Sequence, residues 1–365
     1  MGLYKILVRP VLFRASSDYA HETTLKVSAY LSKRKWLVNF SGKLFQSNDP
    51  ALKQKIWGLK FRNPVGLAAG FDKNGSSIKM MEAIGFGFVE VGSVTANASP
   101  GNPKPRSFRL PHDLSLINRL GLNNDGAKTV VKRLKKQKFK IPVGINIAKT
   151  HDPTIGGKDA LRDYKFSFDH AKEIADYITI NISCPNTKEG KTFEDPGELN
   201  KLLDYLKIGN DASDPPVLIK LSADLSVTQL HELLDVCESF AVNGYVAVNT
   251  SAGRMSLNTP EKKVAKIGSG GLSGRAIREK STSMIREIFE YTKGDKRIIG
   301  VGGIFTTEDA IEKIKAGADL LQIYTGLVYE GPGLVKSINN GISKYLDKQG
   351  LDHIYQIRKG NKTDD

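Results

Sequence analysis

The sequence predicts an α/β fold, a (β/α)8 TIM barrel with a small N-terminal helical extension, and two observations carry that prediction. Eight short apolar, β-branched segments recur between residues 65 and 324. Such near-continuous apolar character is what strands buried on both faces of a parallel sheet require. Helix-period stretches separate most of these segments, and eight strands alternating with helices is the count that closes a barrel. A doubly wound open sheet is the alternative, but the G-x-G-x-x-G fingerprint of a dinucleotide-binding first unit is absent.

The strand segments are, in order, 65–69 (VGLAA), 88–91 (FVEV), 143–147 (VGINI) and 177–182 (YITINI), then 217–221 (VLIKL), 245–249 (YVAVN), 298–302 (IIGVG) and 320–324 (LLQIY). Helical spacing of apolar residues marks 74–84, 124–138, 162–175, 226–241, 278–293 and 306–316. Two segments fall outside this rhythm. Residues 95–123 read as a long loop punctuated by Gly and Pro, a length that in a compact domain points to a lid or binding element. Residues 1–45 precede the first strand, with Leu7, Val8, Val11 and Leu12, then Leu25, Val27 and Leu31, at helical spacing. They predict two short amphipathic helices. The chain therefore divides into an N-terminal helical segment (1–45), a barrel (46–350) and a C-terminal tail (351–365).

Composition narrows the class. At 365 residues and 40% apolar, the chain can bury a large core. Two cysteines, Cys184 and Cys237, cannot build a disulfide framework or a four-cysteine cluster, so any iron–sulfur centre would sit on another subunit. No run of about 18 apolar residues spans a bilayer. Lys5 and Arg9 interrupt the first apolar stretch, against the order of a signal peptide, and Ile6 stands where a myristoylation signal wants Ser or Thr. The net charge of +15 fits either simple solubility or a partner. No stripe of aromatics interleaved with Lys and Arg supports nucleic acid. Residues 1–45 hold eight Lys or Arg against Asp18 and Glu22, a net of +6 that points to an anionic membrane surface.

Chemistry in a barrel sits at the carboxyl ends of the strands. Those positions carry Gly70-Phe71-Asp72-Lys73, Gly92-Ser93, Asn146, the run Asn181 to Asn186, Lys220, Asn249-Thr250, Gly302-Gly303 and Tyr324-Thr325. Strand-end asparagine often only satisfies a turn, but amides, two lysines and a cysteine aimed at one mouth form an active site. Its donors suit a planar, anionic, amide-bearing ligand. No metal triad is present: His231-Glu232 has Asp235 where a zinc-binding helix needs a second His. Glycine-rich stretches at 268–274 and 300–303, with Thr325-Gly326, fall where barrels hold phosphate, and predict a phosphate-bearing cofactor such as FMN. Cys184 lies just beyond strand four beside Asn181 and Asn186. A thiol there can act as nucleophile or base, and with no activating His nearby the sequence favours proton transfer. Cys237 is assigned to packing.

Seven long blocks carry a family resemblance: NPVGLAAGFDKNG (63–75), GFGFVEVGSVTANASPGNPKPRSFRLP (85–111), INRLGLNNDG (117–126), GINIAK (144–149), GGLSG (270–274), GVGGI (300–304) and QIYTGLVYEGP (322–332). From about residue 7 to about residue 350 the chain resembles dihydroorotate dehydrogenases, most closely the membrane-associated class that uses quinone. The resemblance implies that FMN contacts Ala68, Ser93, Asn146, Asn181, Lys220, Val248, Gly274, Gly303, Tyr324 and Thr325. It implies that dihydroorotate is held by Lys73, by Asn118, Arg119, Leu120, Gly121 and Leu122, by Asn186, and by Asn249 with Thr250. It places a quinone against His21, Arg109 and Tyr324, with residues 1–45 forming a membrane-facing tunnel.

The implied reaction removes a proton from C5 of dihydroorotate to Cys184, delivers hydride from C6 to the flavin, and returns the electrons to quinone. Two positions depart from the quinone class. Cys184 stands where that class has Ser, a mark of the soluble class, so a soluble acceptor such as fumarate is the alternative to quinone. Val248 replaces the usual Thr, a change that a backbone contact tolerates. An FMN-dependent tRNA dihydrouridine synthase is a rival, but it needs an RNA-binding domain for which too few residues follow strand eight. A non-catalytic flavin-binding module is a third reading, which the complete set of mouth residues opposes. The expected location is peripheral, on the cytoplasmic face of a bacterial inner membrane.

Overall fold

The computed structural model describes residues 2–183, 192–254 and 257–358. Eight parallel strands close into a barrel: Val65–Leu67 (β3), Phe88–Val94 (β4), Val143–Ile147 (β7), Tyr177–Asn181 (β8), Val217–Leu221 (β9), Gly244–Ala247 (β10), Arg297–Val301 (β12) and Leu320–Ile323 (β13). Each strand pairs with its neighbours in chain order, and β13 pairs with β3 to complete the ring. All eight predicted segments are barrel strands, because both faces are buried and the apolar run is unbroken.

Between and after the strands run Ile78–Ala83 (α4), Ala127–Leu134 (α5), Gly157–Lys172 (α6), Pro196–Leu206 (α7), Val227–Ser239 (α8), Glu261–Ile267 (α9), Arg278–Tyr291 (α10), Thr307–Lys315 (α11), Thr325–Glu330 (α12) and Leu334–Gln349 (α13). The α7 helix was not predicted, although its start is legible: the Asp195 side chain accepts from Glu198 N–H, and Pro196 occupies the first turn. Its buried Leu199, Leu202, Leu203 and Leu206 form the stripe that faces the barrel.

A two-stranded hairpin, Gln54–Ile56 (β1) and Leu59–Phe61 (β2), closes the amino-terminal end of the barrel. Its Ile56 and Phe61 pack on Phe88, Tyr177, Leu218, Val246, Ile299 and Leu320. That layer leaves no room beside two rings. A Cβ on Gly66 would lie 2.3 Å from the Phe88 ring, and one on Gly144 would lie 2.1 Å from the Tyr177 ring.

Two expectations are corrected. The 95–123 segment is not a structureless loop, since it contains Ser107–Leu110 (β5) and Ser115–Asn118 (β6). These pair with Gly271–Gly274 (β11) as a three-stranded antiparallel sheet. Its strands are too short and Gly-flanked for periodicity to reveal, and the β5–β6 pair finds its third strand only across about 150 residues of chain. Residues 1–45 form three α-helices rather than two: Arg9–Arg14 (α1), preceded by a π-turn, Ser17–Ser32 (α2) and Lys35–Phe45 (α3). The Ser16 side chain caps α2, which separates it from α1. None of the described helices is long and apolar enough to cross a membrane.

Candidate active site

A cavity of about 140 Å³ opens where the barrel strands end. Ala68 follows β3, Ser93 lies near the end of β4, Asn181 ends β8, and Lys220 is on β9. Val248 with Asn249 and Thr250 follows β10, Gly302 and Gly303 follow β12, and Tyr324 and Thr325 follow β13. Leu116, Asn118, Ser273 and Gly274 descend from the antiparallel sheet, which therefore roofs the mouth.

Beneath the cavity runs a one-way chain of hydrogen bonds. Asn249 Nδ2 donates to Asn181 Oδ1 (3.2 Å), and Asn181 Nδ2 donates to Ser93 Oγ (3.0 Å). Ser93 donates to Asn146 Oδ1, and Asn146 Nδ2 donates to Glu90 Oε1 (2.9 Å). The fully buried Glu90 carboxylate ends the chain and also accepts from Gln322 Nε2 (2.7 Å), Thr179 Oγ1 (3.1 Å) and Tyr177 Oη (3.3 Å). A carboxylate that accepts everything offered to it fixes which way each amide faces. The amides at the surface of the mouth are thus oriented from the barrel core.

Two cations enter this site. Lys73 donates to Gly70 O (2.8 Å), and burial first, then the Arg106 charge, pulls its pKa down to about 8. Lys220 is likewise lowered by burial, and the Glu90 charge opposes that shift. Among the described residues Lys220 has no hydrogen-bond or ion-pair partner, and Gln322 Oε1 is a buried acceptor with none. Both residues line the cavity. On the opposite wall Gly303 (φ +73°) could carry no side chain: a Cβ there would lie 2.4 Å from Arg278 Cβ. Gly274 (φ +98°) likewise sits 2.5 Å from Leu114 O at that point. Both glycines line the cavity with bare backbone, which suits a phosphate, while Lys220 and Gln322 suit the polar edge of a flat ring.

A second, more apolar cavity of about 330 Å³ lies between the N-terminal helices and the barrel. Phe13, Phe45, Met80, Met81, Ile84 and Leu327 supply its greasy walls, and His21, Arg109 and Tyr324 its polar points. His21 is stacked 6.2 Å from Tyr324 and meets Phe71 edge-on at 5.0 Å, and burial holds its pKa down at about 3. Arg109 donates to Leu12 O (2.9 Å) and Ala15 O and lies 4.5 Å above the Phe13 ring. Ser107, Leu116, Leu120 and Tyr324 border both cavities. Asp18 ties the wall in place by accepting from Arg106 N–H (2.9 Å).

Most of the site residues named from sequence converge. Ala68, Ser93, Asn181, Lys220, Val248, Gly274, Gly303, Tyr324, Thr325, Lys73, Asn118, Leu120, Leu122, Asn249 and Thr250 all border the first cavity. Asn146 does not: it is fully buried one step below, between Ser93 and Glu90. Gly121 and Arg119 also lie off the cavity. The Arg119 guanidinium turns outward to Ile267 O and Pro105 O and over the Phe108 ring, so it anchors the roof. Cys184 and Asn186 fall outside the described residues. Sequence reasoning missed Glu90, Gln322, Ser107 and Ser273; a lone acid inside the apolar run FVEV was the available signal for the first.

A closed (β/α)8 barrel with a cationic, amide-lined mouth beside a more apolar side cavity has the architecture of an enzyme with two adjoining binding chambers. The profile of the family described as dihydroorotate dehydrogenase matches residues 51–346, and the chain belongs to that family. Among its relatives, the dihydroorotate dehydrogenase (quinone) of Gloeobacter violaceus is 41% identical, with 98% of each chain covered. That of Crocosphaera subtropica is 42% identical over 95% of each. The crystal structure of an Eimeria tenella DHODH in complex with ferulenol superposes with a TM-score of 0.82 at 30% identity, covering 93% of this chain and 94% of that one. A ligand-free structure of the Eimeria tenella enzyme gives 0.80 at 31% identity.

Proposed function

We propose that the protein oxidises dihydroorotate to orotate with a bound FMN and passes the electrons to a membrane quinone. The observation that carries this reading is the shared wall. Two cavities, one set with lysines and amides and the other more apolar, meet at Ser107, Leu116, Leu120 and Tyr324.

When bound, FMN supplies the acceptor for hydride from C6 of dihydroorotate and a store of two electrons. Lys220 would hold its ring edge, with Gln322, Ser93 and Asn181 beside it, and the Gly274 and Gly303 walls would take the phosphate. Lys73 pairs with the substrate carboxylate, and Asn118, Asn249, Thr250 and Asn186 read the amide edge. Cys184 takes the C5 proton. The oriented Asn181–Asn249 pair aligns the ring, which matters because misplacement by about 1 Å can cost 10²-fold in rate. His21, neutral and aromatic, faces the quinone with Arg109 and Tyr324.

Residues 1–45 are proposed to lie on an anionic membrane at the cytoplasmic face of a bacterial inner membrane. Leu3, Leu7, Val11, Trp36, Phe40 and Leu44 are exposed there, among the basic residues of the segment. An acceptor screen on the purified protein tests the reading: dihydroorotate oxidation should run with quinones and not with fumarate or NAD. Turnover with fumarate alone would move the enzyme to the soluble mode that Cys184 hints at.

A further inference from the structure

The barrel face opposite the active site carries a groove of about 730 Å³ that the proposed reaction does not use. It is built from the β1–β2 hairpin and the segments that lead into β3, β7, β12 and β13. Seven Lys or Arg line it against one acid, Asp319. That acid is spoken for: its carboxylate is buried between Arg358 (2.6 Å) and Arg297 (3.2 Å), so the floor itself retains a positive charge.

The rim is more unusual. Lys53, Lys55, Lys60 and Lys140 are exposed, and among the described residues none has an ion-pair or hydrogen-bond partner for its ammonium group. Solvated faces elsewhere on the molecule interleave their charges, as in Lys135–Glu173, Lys165–Asp169 and Lys201–Glu198. Here Lys55 and Lys60 sit directly opposite each other across the hairpin. Like charges at facing positions destabilise a strand pair. The hairpin keeps this repulsion with no counter-ion of its own, in a concave site. Beside it Tyr355 is 38% exposed and packs on His353 with ring centroids 4.6 Å apart, presenting a flat face.

We propose that this groove binds an oligophosphate, either free or carried by a nucleotide whose base stacks on Tyr355. Several anionic oxygens on one small ligand match several lysines around one concavity, whereas a single phosphate could answer only part of the charge. The groove lies at the far end of the barrel from the mouth, so its occupant and dihydroorotate can be bound together.

Calorimetric titration of the flavin-loaded full chain, without added metal and near physiological salt, decides the matter. Tripolyphosphate should bind one per chain and about tenfold or more tighter than orthophosphate. Lys60→Glu replaces the repulsive cross-strand pair with an attractive one, so this variant should melt no lower than wild type. It should nonetheless bind tripolyphosphate about tenfold or more weakly while oxidising dihydroorotate at the wild-type rate. ATP binding tighter than tripolyphosphate, with the gain lost in Tyr355→Ala, identifies a nucleotide; equal binding identifies the free oligophosphate. Unchanged affinity in Lys60→Glu overturns the proposal. So does orthophosphate matching tripolyphosphate, or polyglutamate outcompeting it, which would make the groove a dock for an acidic polypeptide.

Discussion

Lys73 and Glu90 show how single residues set the chemistry of this mouth. Burial holds Lys73 near a pKa of about 8, so the unliganded enzyme loses that charge as pH rises through 8. A dihydroorotate carboxylate then meets a neutral amine. The expected outcome is a fall in kcat/KM above pH 8 carried mainly by KM, because bound carboxylate stabilises the ammonium form; a flat kcat/KM from pH 7 to 10 would contradict the assignment. Glu90 accepts from four side chains, so Glu90→Gln places a donor against donors and leaves buried groups unpaired, at about 1–3 kcal/mol each. That variant should melt lower and retain less flavin than wild type, as absorbance per chain would report; wild-type flavin content would count against the orienting role. At Cys184, Ser substitution should lower the rate near neutral pH by about 10²-fold and raise the pH optimum, since a hydroxyl is the weaker acid. Such residues differ in legibility. Lys73, Asn181, Lys220 and Asn249 stand at strand ends, where position alone announces a role. Glu90 lies mid-strand, and its meaning appears only when three other strands, β7, β8 and β13, bring its partners around it.

At the scale of elements, the strands were readable and the roof was not. Barrel strands declare themselves by local apolar composition, whereas the β5–β6 hairpin of the roof is completed by β11, a segment far away in the chain. Arg119 illustrates the consequence: the family resemblance implies a substrate contact, but just past the end of β6, the central strand of the roof, its guanidinium turns away to Ile267 O. The N-terminal helices were legible as amphipathic, though not as three. Trp36, Phe40 and Leu44 recur every fourth residue of α3 and are all exposed, so they form one outward apolar face. Trp36→Glu with Phe40→Glu should cut partition onto anionic vesicles by about tenfold or more while leaving turnover with a short, water-soluble quinone unchanged. Unaltered vesicle binding would remove residues 1–45 from the membrane. His21 on α2 is held neutral by burial, with a pKa of about 3, so KM for quinone should show no ionisation of this imidazole between pH 5 and 8. A step near pH 6.5 that disappears in His21→Phe would place that ring in water instead.

The whole molecule is polarised along the barrel axis. One end is sealed by a hairpin and an aromatic layer so tight that Gly66 and Gly144 admit no side chain. Its opposite end holds the polar mouth, and the helical extension sets a greasy chamber against that mouth across Tyr324. Such an arrangement predicts that electrons enter and leave the same flavin from two sides. Anaerobic mixing tests this most directly. Dihydroorotate added to the oxidised, yellow protein should bleach the flavin absorbance within the time of one turnover, and quinone added next should restore it, whereas fumarate should not. A spectrum that dihydroorotate leaves unchanged, or that returns only with fumarate, would contradict the path from the barrel mouth to the helical chamber.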